Sequence, residues 1–456
     1  MALEMNLHES ARTSESIFVP SYLKPKKMAA SDIYSDLDWR GLVYQTTSDN
    51  LGAWLLEKPR TVYAGFDPTS DSLHVGSLLP LMTLRRFQKA GHKPLALVGG
   101  ATGRIGDPSG KSQERKLQSL EQIQANVDGI KSQMEQMLDF DSGQFSAAVV
   151  VNNYDWISQF SYIDFLRDVG KNFPVNVMMS KDSIRNRLEN PDVGISYTEF
   201  SYMLLQAYDF VHLYKSMGCE LQVGGSDQWG NVTAGIDLAR RMHGAELFGL
   251  TCPLLTKTDG SKMGKTESGA IWLDSKKTSP YQFYQYWINV ADEDAGKCLR
   301  FLTELPHEEI EALDRSREEE PHLRSSQKRL AEAVTELIHG TSGLAKAQQA
   351  TRIFFGEAIE NVDAHELIEI FADVPSNRIA KTELSEGIGI LDALVKAGLC
   401  KSKGEARRSL AQGGININNI RVESEDRSLT GEDLVGGSVI VLRLGRKRYA
   451  LLRVDS

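Results

Sequence analysis

Short apolar runs alternate with helix-like stretches over the first half of the chain. Four such runs, Thr61–Phe66, 94–100, 147–152 and 220–225, each lead toward a Gly, Asn or Asp near a helical pattern. This alternation is typical of βαβ units and predicts an α/β fold with a Rossmann-like parallel sheet. Ligands of such sheets bind outside the carboxyl ends of the strands, so we expect the functional site there.

The pattern changes along the chain and predicts several units. A helical pattern without a convincing strand follows the sheet, and a Pro-, Ser- and Gly-containing stretch then precedes a compact basic end. The predicted units are an N-terminal extension, partly disordered (1–45), the sheet domain (46–275) with an insertion at about 118–200, a helical domain (276–374), a linker (375–386) and a small α+β module (387–456).

Composition excludes two broad classes of protein. No run approaches the roughly 20 apolar residues of a membrane helix, and the polar first residues do not resemble a secretory signal. The 4 cysteines are far apart and form no CxxC pair, which argues against a zinc knuckle or a disulfide framework and suits a reducing cytoplasm. Net charge is −9, but residues 396–456 hold 12 Lys/Arg against 7 Asp/Glu, or +5, which indicates a polyanion-binding tail.

Two distant segments, 63–77 and 262–266, carry residues suited to nucleotide chemistry. In the first, a strand breaks at a Gly/Asp/Pro turn and a His-Val-Gly sequence opens a helix whose free N–H groups suit phosphate. Thr69 and His74 add a hydroxyl and an imidazole. In the second, Lys262 and Lys265 bring two ammonium groups to the same phosphates, where charge builds up in a transition state.

This pair of segments resembles the two signatures of class I aminoacyl-tRNA synthetases, and the residues around them resemble the tyrosyl-tRNA synthetase family in particular. The resemblance covers nearly the whole chain. It implies a ligase that activates L-tyrosine with ATP, accompanied by Mg²⁺, and transfers the tyrosyl group to the 3′-terminal adenosine of tRNA(Tyr). It also implies a homodimer with the insertion at its interface, an anticodon-side role for the helical domain, and no permanently bound cofactor or metal.

The glycine-rich segment 99–112 matches neither the P-loop nor the dinucleotide fingerprint, because its glycines have the wrong spacing. We interpret it as a loop that a ligand approaches closely. Asp107 would bind a cation there, and Lys111 and Arg115 would bind phosphate and assist catalysis. A tight structural loop with a capping Asp is the alternative.

Tyr202, Gln206 and Asp209 are spaced to share one face of an otherwise apolar helix. Such a polar stripe either faces solvent or binds a ligand that has both donors and acceptors. The tyrosyl family places residues matching Tyr63 and Asp209 at the substrate phenol, and residues matching Asp107, Tyr202 and Gln206 at its α-ammonium. At the end of the fourth strand, Gln228 would bind the amino-acid carboxylate or phosphate.

The resemblance also implies the nucleotide contacts. Thr69, His74, Lys262 and Lys265 would stabilise the transition state, and Asp227 would accept hydrogen bonds from ribose. Ser77 stands where most class I enzymes have a second histidine. The residues expected to contact ATP are Gly65, Asp67, His74, Gly76, Ser77, Gly225, Asp227 and Lys265.

The tail is predicted to hold two short helices followed by strands, with Lys401, Lys403, Arg407 and Arg408 on the second helix and its entry. It resembles an S4-type RNA-binding module, in which a helix N-terminus and basic side chains bind phosphate. A dimerisation or regulatory tail is the alternative.

Two rival functions stay open at this point. A tryptophanyl ligase would share the fold and the chemistry, but the pair Tyr63 and Asp209 favours a phenol over an indole. A non-catalytic, synthetase-like RNA-binding protein would not need His74, Lys262 and Lys265.

Overall fold

The computed structural model describes residues 32–108, 118–141, 143–189, 194–266, 269–359, 362–372, 374–445 and 448–454. Most of the predicted extension, and both Lys111 and Arg115, lie outside these residues. Among the described helices, none combines the length and the apolar character that a membrane span requires.

A six-stranded sheet forms the centre of the first half, and it confirms the predicted Rossmann-like α/β class. The strand order is β1-β6-β5-β2-β3-β4; β1 runs antiparallel to β6 and the other neighbours pair in parallel. The strands are β1 (Gln45–Thr46), β2 (Thr61–Phe66), β3 (Lys93–Val98), β4 (Val149–Asn152), β5 (Cys219–Gly225) and β6 (Phe248–Cys252).

Helices cover both faces of the sheet. They are α1 (Ile33–Trp39), α2 (Leu51–Glu57), α3 (Val75–Lys89), α4 (Leu120–Met137), α5 (Tyr154–Ile157), α6 (Tyr162–Asp168), α7 (Val175–Met179), α8 (Asp182–Leu188), α9 (Tyr197–Met217) and α10 (Trp229–His243). One hydrophobic cluster joins α3 and α4 to one face, and a second joins α9 and α10 to the other. Burial of these two helix faces holds the carboxyl ends of the strands in place.

Two predicted boundaries change in the structure. The segment 118–200 is not a single insertion, because α4 connects β3 to β4 and β4 is itself an edge strand of the sheet. Only α5 to α8 stand apart from the βαβ pattern. At the N-terminus, the described part of the extension is ordered: Ile33 and Leu37 on α1 are buried, and Arg40 donates to the carbonyl oxygens of residues 300 and 305 at 3.2 and 3.1 Å.

The next part of the chain is helical. Its elements are the hairpin β7 (Lys265–Thr266) and β8 (Gly269–Ala270), followed by α11 (Pro280–Ile288), α12 (Asp292–Leu302), α13 (His307–Glu319), α14 (Ser325–Phe354) and α15 (Ala364–Ile370). Gly340, at φ 70°, kinks α14. Phe283 and Trp287 on α11 and Leu330 on α14 belong to the same hydrophobic cluster as α3. The helical part is therefore packed directly on the sheet domain.

The C-terminal module is an α+β unit around a sheet of order β12-β11-β14-β15-β9, with a small β10-β13 pair. Its elements are β9 (Ser376–Ile379), α16 (Lys381–Glu386), β10 (Ile388–Gly389), α17 (Ile390–Lys396), α18 (Lys403–Ala411), β11 (Ile415–Ile417), β12 (Ile420–Arg421), β13 (Ser428–Leu429), β14 (Val439–Leu444) and β15 (Arg448–Val454). The stretch 375–386, predicted as a linker, contains α16 and also β9, which pairs in parallel with β15.

The module packs on the end of the helical part through an apolar contact that includes Ile353, Phe371 and Tyr449. The Tyr449 hydroxyl donates to the carbonyl oxygen of Phe354 at 2.9 Å, and the Asn419 amide donates to that of Ile353 at 2.7 Å. These bonds satisfy polar groups that the apolar contact would otherwise bury unpaired.

A buried ion pair attaches α8 to α9. Arg187 donates to both carboxylate oxygens of Glu199, at 3.2 and 2.8 Å, and the two side chains are 6% and 3% exposed. Removing one partner of such a pair leaves an uncompensated charge in a low-dielectric interior. The pair therefore fixes the start of the helix that carries Tyr202, Gln206 and Asp209.

We predict that Arg187→Met lowers the free energy of unfolding by about 3–5 kcal/mol, because it leaves the Glu199 carboxylate buried and unpaired. Adding Glu199→Leu should recover much of this loss. Chemical denaturation checks both, with Arg240→Met as the control, since its pair with Asp237 is exposed and contributes less than about 1 kcal/mol. Equal losses for Arg187→Met and Arg240→Met would refute the role of the buried pair.

Candidate active site

A cavity of about 370 Å³ lies at the carboxyl ends of β2 and β5 and against the first turn of α3. It brings together every sequence-predicted site residue of the first two domains that the structure describes. These residues are Tyr63, Gly65, Asp67, Thr69, His74, Gly76, Ser77, Asp107, Tyr202, Gln206, Asp209, Gly225, Asp227, Gln228, Lys262 and Lys265.

One end of the cavity, called here the Tyr63 end, contains Tyr63 and Asp209. Both side chains are buried, and the Tyr63 hydroxyl has no hydrogen-bond partner among the described residues. Burial, and then the charge of Asp209, raise the pKa of the Tyr63 phenol well above its usual value. A buried hydroxyl without a partner costs free energy, so this end is incomplete until a polar ligand group pairs with it.

Two residues that sequence reasoning missed hold Asp209 in place. Asn153 donates to one carboxylate oxygen at 3.0 Å, and the Trp156 indole donates to the other at 2.8 Å. Burial raises the pKa of Asp209 to about 7, although both hydrogen bonds oppose the shift. Each carboxylate oxygen has a second lone pair, so Asp209 still has acceptor capacity for a ligand.

A second part of the pocket, called the Asp67 end, is a network of carboxylates and amides. Asp67 accepts from the Tyr202 hydroxyl at 3.1 Å and from Thr102 at 2.9 Å. Asp107 accepts from the Gln228 amide at 2.7 Å, and Gln206 donates to the Gln228 oxygen at 3.2 Å. Negative charge concentrated in this way favours a cationic ligand group such as an ammonium.

Asp67 belongs to this network as well as to the predicted ATP contacts. The sequence assigned it to ATP, whereas its carboxylate is bonded to Tyr202, a residue assigned to the ammonium. Gln222, another residue that the sequence reasoning missed, lines the same cavity from β5 and has a buried side-chain oxygen without a hydrogen bond among the described residues. Gln222 stands beside Tyr63 on the neighbouring strand in the sheet register. This position is what could have identified it as a site residue.

The helix that begins after His74 forms the third side of the cavity. His74 is the extended N-cap residue of α3, and its ring lies over Gly76, where an added Cβ would be 2.7 Å from the ring carbon Cε1. Gly76 thus leaves room for the imidazole above the first helical turn. Two N–H groups of that turn are already bonded: the Val75 N–H donates to the carbonyl oxygen of Ile271 at 3.0 Å, and the Ser77 N–H donates to that of His74 at 2.8 Å. The prediction of free N–H groups is therefore wrong for these two positions.

The segment 262–266, called the lysine loop, closes the cavity over this helix. The Lys262 and Lys265 side chains are exposed, whereas Met263 between them is buried. The two cations therefore remain available to a ligand while the backbone between them is fixed.

The glycine-rich segment differs from its interpretation. Protein side chains, not open space, occupy the positions where a Cβ would stand: Asp67 and Thr102 lie 2.3 Å from the position at Gly99, Asn152 lies 2.2 Å from that at Gly100, and Pro68 lies 2.8 Å from that at Gly103. These glycines allow the loop to pack against the β2 turn and the end of β4. Its structural role, the alternative considered above, is the one observed for these three positions.

In the C-terminal module, Lys401, Lys403, Arg407 and Arg408 are all exposed. Lys403 pairs with Asp392 at 2.6 Å and Arg407 with Glu425 at 2.7 Å. The N-terminus of α18 is already capped by Ser402, which accepts from the Glu405 N–H at 3.3 Å. Phosphate binding here would therefore depend on the exposed cations more than on the helix N-terminus.

Comparison with known families agrees with this geometry. Residues 56–356 match the family model described as tRNA synthetases class I (W and Y). Residues 366–452 match the model described as the tyrosine–tRNA ligase SYY-like C-terminal domain. The second match begins ahead of β9 and so includes the strand that the predicted linker left out.

Individual relatives point the same way. The chain is 58% identical to a tyrosine–tRNA ligase of Rhodopirellula baltica over 94% of this chain and 97% of that protein. It is 53% identical to one of Roseiflexus castenholzii over 92% and 99%. Among solved structures, a C-terminally truncated mitochondrial tyrosyl-tRNA synthetase of Aspergillus nidulans matches with a TM-score of 0.64 and 31% identity, covering 70% of this chain and 93% of that one.

These matches confirm the predicted family and activity, and they count against both a tryptophanyl ligase and a non-catalytic relative. The chain belongs to the class I tRNA synthetases of the tryptophan and tyrosine group and, within that group, to the tyrosine–tRNA ligases.

Proposed function

We propose that the Tyr63 end of the cavity binds the phenol of L-tyrosine and that the Asp67 end binds its α-ammonium. The observation that carries this proposal is the unpartnered, buried Tyr63 hydroxyl in the same cavity as the buried Asp209 carboxylate. The substrate hydroxyl would donate to Asp209 and accept from Tyr63. Phenylalanine would leave the Tyr63 hydroxyl desolvated and unpaired and would not use the remaining acceptor capacity of Asp209, which costs free energy.

The ammonium would contact Asp107, Tyr202 and Gln206, as the family resemblance implies, with Asp67 as a further acceptor. Asp67 and Asp107 supply negative charge, and Gln206 has a buried side-chain oxygen without a partner among the described residues. Gln228 bridges this end to the position of the substrate carboxylate.

The first reaction joins the substrate carboxylate to ATP. A carboxylate oxygen would attack the α-phosphorus, the bond from that phosphorus to the β-phosphate oxygen would break, and pyrophosphate would leave. The nucleophile is already anionic, so positioning and charge stabilisation supply the catalysis. Thr69, His74, Lys262 and Lys265 would stabilise the transition state, with help from Lys111 and Arg115.

The nucleoside part of ATP would lie between the two glycine-containing strand ends. Gly65 and Gly76 line the cavity on one side and Gly225 on the other. Asp227 would accept from the ribose hydroxyls, and Ser77 would donate to ribose or phosphate. In the second reaction, a hydroxyl of the 3′-terminal adenosine of tRNA(Tyr) attacks the acyl carbon and AMP leaves.

Mg²⁺ would accompany ATP as its counter-ion. Within the described ranges there is no group of three or more His, Cys, Asp and Glu side chains placed to hold a metal ion. The phosphate oxygens of ATP would therefore be the main ligands of the Mg²⁺ ion. The ion would neutralise phosphate charge.

The C-terminal module would bind tRNA through Lys401, Lys403, Arg407 and Arg408. Exposed ion pairs such as Lys403 with Asp392 contribute little stability, so phosphate groups would compete for these cations at low cost. The excess positive charge of residues 396–456 supports the same role.

A second copy of this chain would cover α6 and α7. α6 has no buried residue, and both short helices present large apolar side chains to solvent: Tyr162, Ile163, Leu166, Val175, Val177 and Met179. Apolar side chains concentrated in this way mark an interaction surface. The resemblance implies a homodimer with the predicted insertion, which includes α6 and α7, at its interface.

We also place the protein in the cytoplasm. The 4 cysteines are free and buried, and none forms a disulfide, which suits a reducing compartment.

We predict that Asp209→Ala lowers the preference for tyrosine over phenylalanine by about 10- to 100-fold, because a hydrogen bond to a charged group is lost. Amino-acid-dependent pyrophosphate exchange into ATP, measured with tyrosine, phenylalanine and tryptophan, checks this. Asp237→Ala, which removes an exposed carboxylate on α10, is the control and should leave the preference unchanged. An unchanged preference in Asp209→Ala would mean that the phenol binds elsewhere.

We predict that Asp209 makes the stability of the ligand-free protein depend on pH. Its pKa is about 7 when folded, against an ordinary value of 3.8, so the folded state binds more protons between these limits and stability falls as pH rises through them. The free energy of unfolding of the wild type relative to Asp209→Asn should fall by roughly 1–3 kcal/mol between about pH 5 and about pH 8. Chemical denaturation at both pH values tests this. If the difference in free energy of unfolding between the two proteins is the same at both pH values, the pKa of the Asp209 carboxyl is not raised.

We predict that Ile163→Asp shifts the protein from dimer to monomer, because it places a charge in the covered apolar surface. Sedimentation velocity over a concentration series measures the shift. Ile420→Asp is the matched control, since Ile420 is 67% exposed against 68% for Ile163 but lies in the C-terminal module. The interface assignment fails if both variants associate like the wild type.

A further inference from the structure

The lysine loop is connected to the start of α3 and to the helical part by consecutive backbone hydrogen bonds. The Val75 N–H donates to the carbonyl oxygen of Ile271 at 3.0 Å, and the Ile271 N–H donates to that of Gly264 at 2.8 Å. The Gly264 N–H then donates to the hydroxyl oxygen of Tyr286, on α11, at 2.7 Å. This series of hydrogen bonds therefore begins at Val75, next to His74, and ends at the side-chain hydroxyl of Tyr286.

The backbone conformation of Gly264 and its lack of a side chain explain why the loop lies so close to α3. Its φ is +83°, a conformation that favours glycine, and an added Cβ would be 2.8 Å from the Cβ of Val75. The loop backbone is therefore in contact with the first turn of the helix. Any loosening of Gly264 would move Lys262 and Lys265 away from the phosphate side of that turn.

The loop has further backbone contacts: Lys262 forms an antiparallel bridge with Thr256, and Lys265 pairs with Ala270 in the β7–β8 hairpin. Met263 has a buried side chain and donates its N–H to the carbonyl oxygen of Leu255 at 3.0 Å, and its sulfur lies 3.4 Å from that of Cys298. Methionine is flexible and packs in several conformations. The hydrogen bond to Tyr286 is the contact that connects the Gly264 N–H to α11.

Tyr286 lies outside the active-site cavity. It lines a second cavity of about 880 Å³ on the far side of the lysine loop, together with Met263 and Trp272. Its ring packs edge-on against Trp287 at 5.0 Å. Burial raises the pKa of its phenol to about 12, so the hydroxyl stays neutral at physiological pH. A phenylalanine would keep the ring contacts and lose only the oxygen.

We propose that Tyr286 is a positioning residue for tyrosine activation: its hydroxyl holds the lysine loop against the start of α3 in the arrangement that directs Lys262 and Lys265 to the phosphates of ATP. This inference rests on the proposed role of those two lysines. It assigns to α11 a direct influence on the reaction, although α11 contributes no side chain to the active-site cavity.

The test compares Tyr286→Phe with Tyr284→Phe in tyrosine-dependent pyrophosphate exchange. Tyr284 is a buried tyrosine of the same helix whose hydroxyl bonds to Gln348 instead of the loop. We expect Tyr286→Phe to lower kcat by about three- to tenfold, the value of one net hydrogen bond, with KM for tyrosine unchanged. Tyr284→Phe should leave kcat unchanged. A Tyr286→Phe enzyme with wild-type kcat would overturn the inference.

A double-mutant cycle with Lys265→Ala separates positioning from general destabilisation. If Tyr286 acts through the lysine loop, its effect on kcat should be smaller in the Lys265→Ala background, because one of the two cations to be positioned is gone. The same fold loss in both backgrounds would overturn the inference. If Lys265→Ala itself leaves exchange intact, the proposed role of the loop fails, and this outcome is distinct from a failure of Tyr286 alone.

Limited trypsin digestion gives a readout that does not depend on activity. Cleavage after Lys262 and Lys265, identified by mass spectrometry, should be faster in Tyr286→Phe than in the wild type and in Tyr284→Phe, because the released backbone fits the protease more readily. Equal cleavage rates in all three proteins would contradict the proposed anchor.

Discussion

The site depends on one physical constraint: the polar groups buried at the Tyr63 end must have hydrogen-bond partners. Tyr63 reaches the cavity from the central strand β2, Asp209 from α9, and Asn153 and Trp156 from the segment after β4. Helices packed on both faces of the sheet hold these separate segments at fixed distances. The protein satisfies part of the Asp209 carboxylate and leaves the Tyr63 hydroxyl without a partner among the described residues, so the proposed selectivity for a phenol would follow from incomplete internal hydrogen bonding.

A second constraint applies to the nucleotide side. The charges proposed to act on ATP come from two segments far apart in sequence, and they act together only if the lysine loop stays on the first turn of α3. Gly264 allows the contact, backbone hydrogen bonds through Ile271 maintain it, and α11 reaches it through Tyr286. The lysine side chains are exposed, whereas their backbone is held by hydrogen bonds. The sheet domain and the helical part therefore share one core and one active site.

Much of this arrangement could be predicted from the sequence where local pattern decides the outcome. The strand Thr61–Phe66 begins and ends at the predicted residues, because a β-rich run meets a Gly/Asp/Pro turn there. The polar stripe of α9 lines the cavity, and helical spacing indicated that its residues share one face. Residues fixed by tertiary contacts could not be predicted. Asn153 and Trp156 follow an edge strand with no recognisable motif, β9 is a short polar strand that only β15 stabilises, and the glycines at 99, 100 and 103 serve protein packing that spacing does not reveal.

Calorimetric titration of the ligand-free protein with tyrosine, in buffers of different ionisation enthalpy near pH 6.5, tests the central claim most directly. If the substrate phenol donates to Asp209, binding favours the ionised carboxylate of a group with a pKa of about 7, and protons are released to the buffer. The account predicts release with tyrosine, little or none with phenylalanine, and none with tyrosine in Asp209→Asn. Equal proton release with tyrosine and phenylalanine, or none with tyrosine in the wild type, would contradict it.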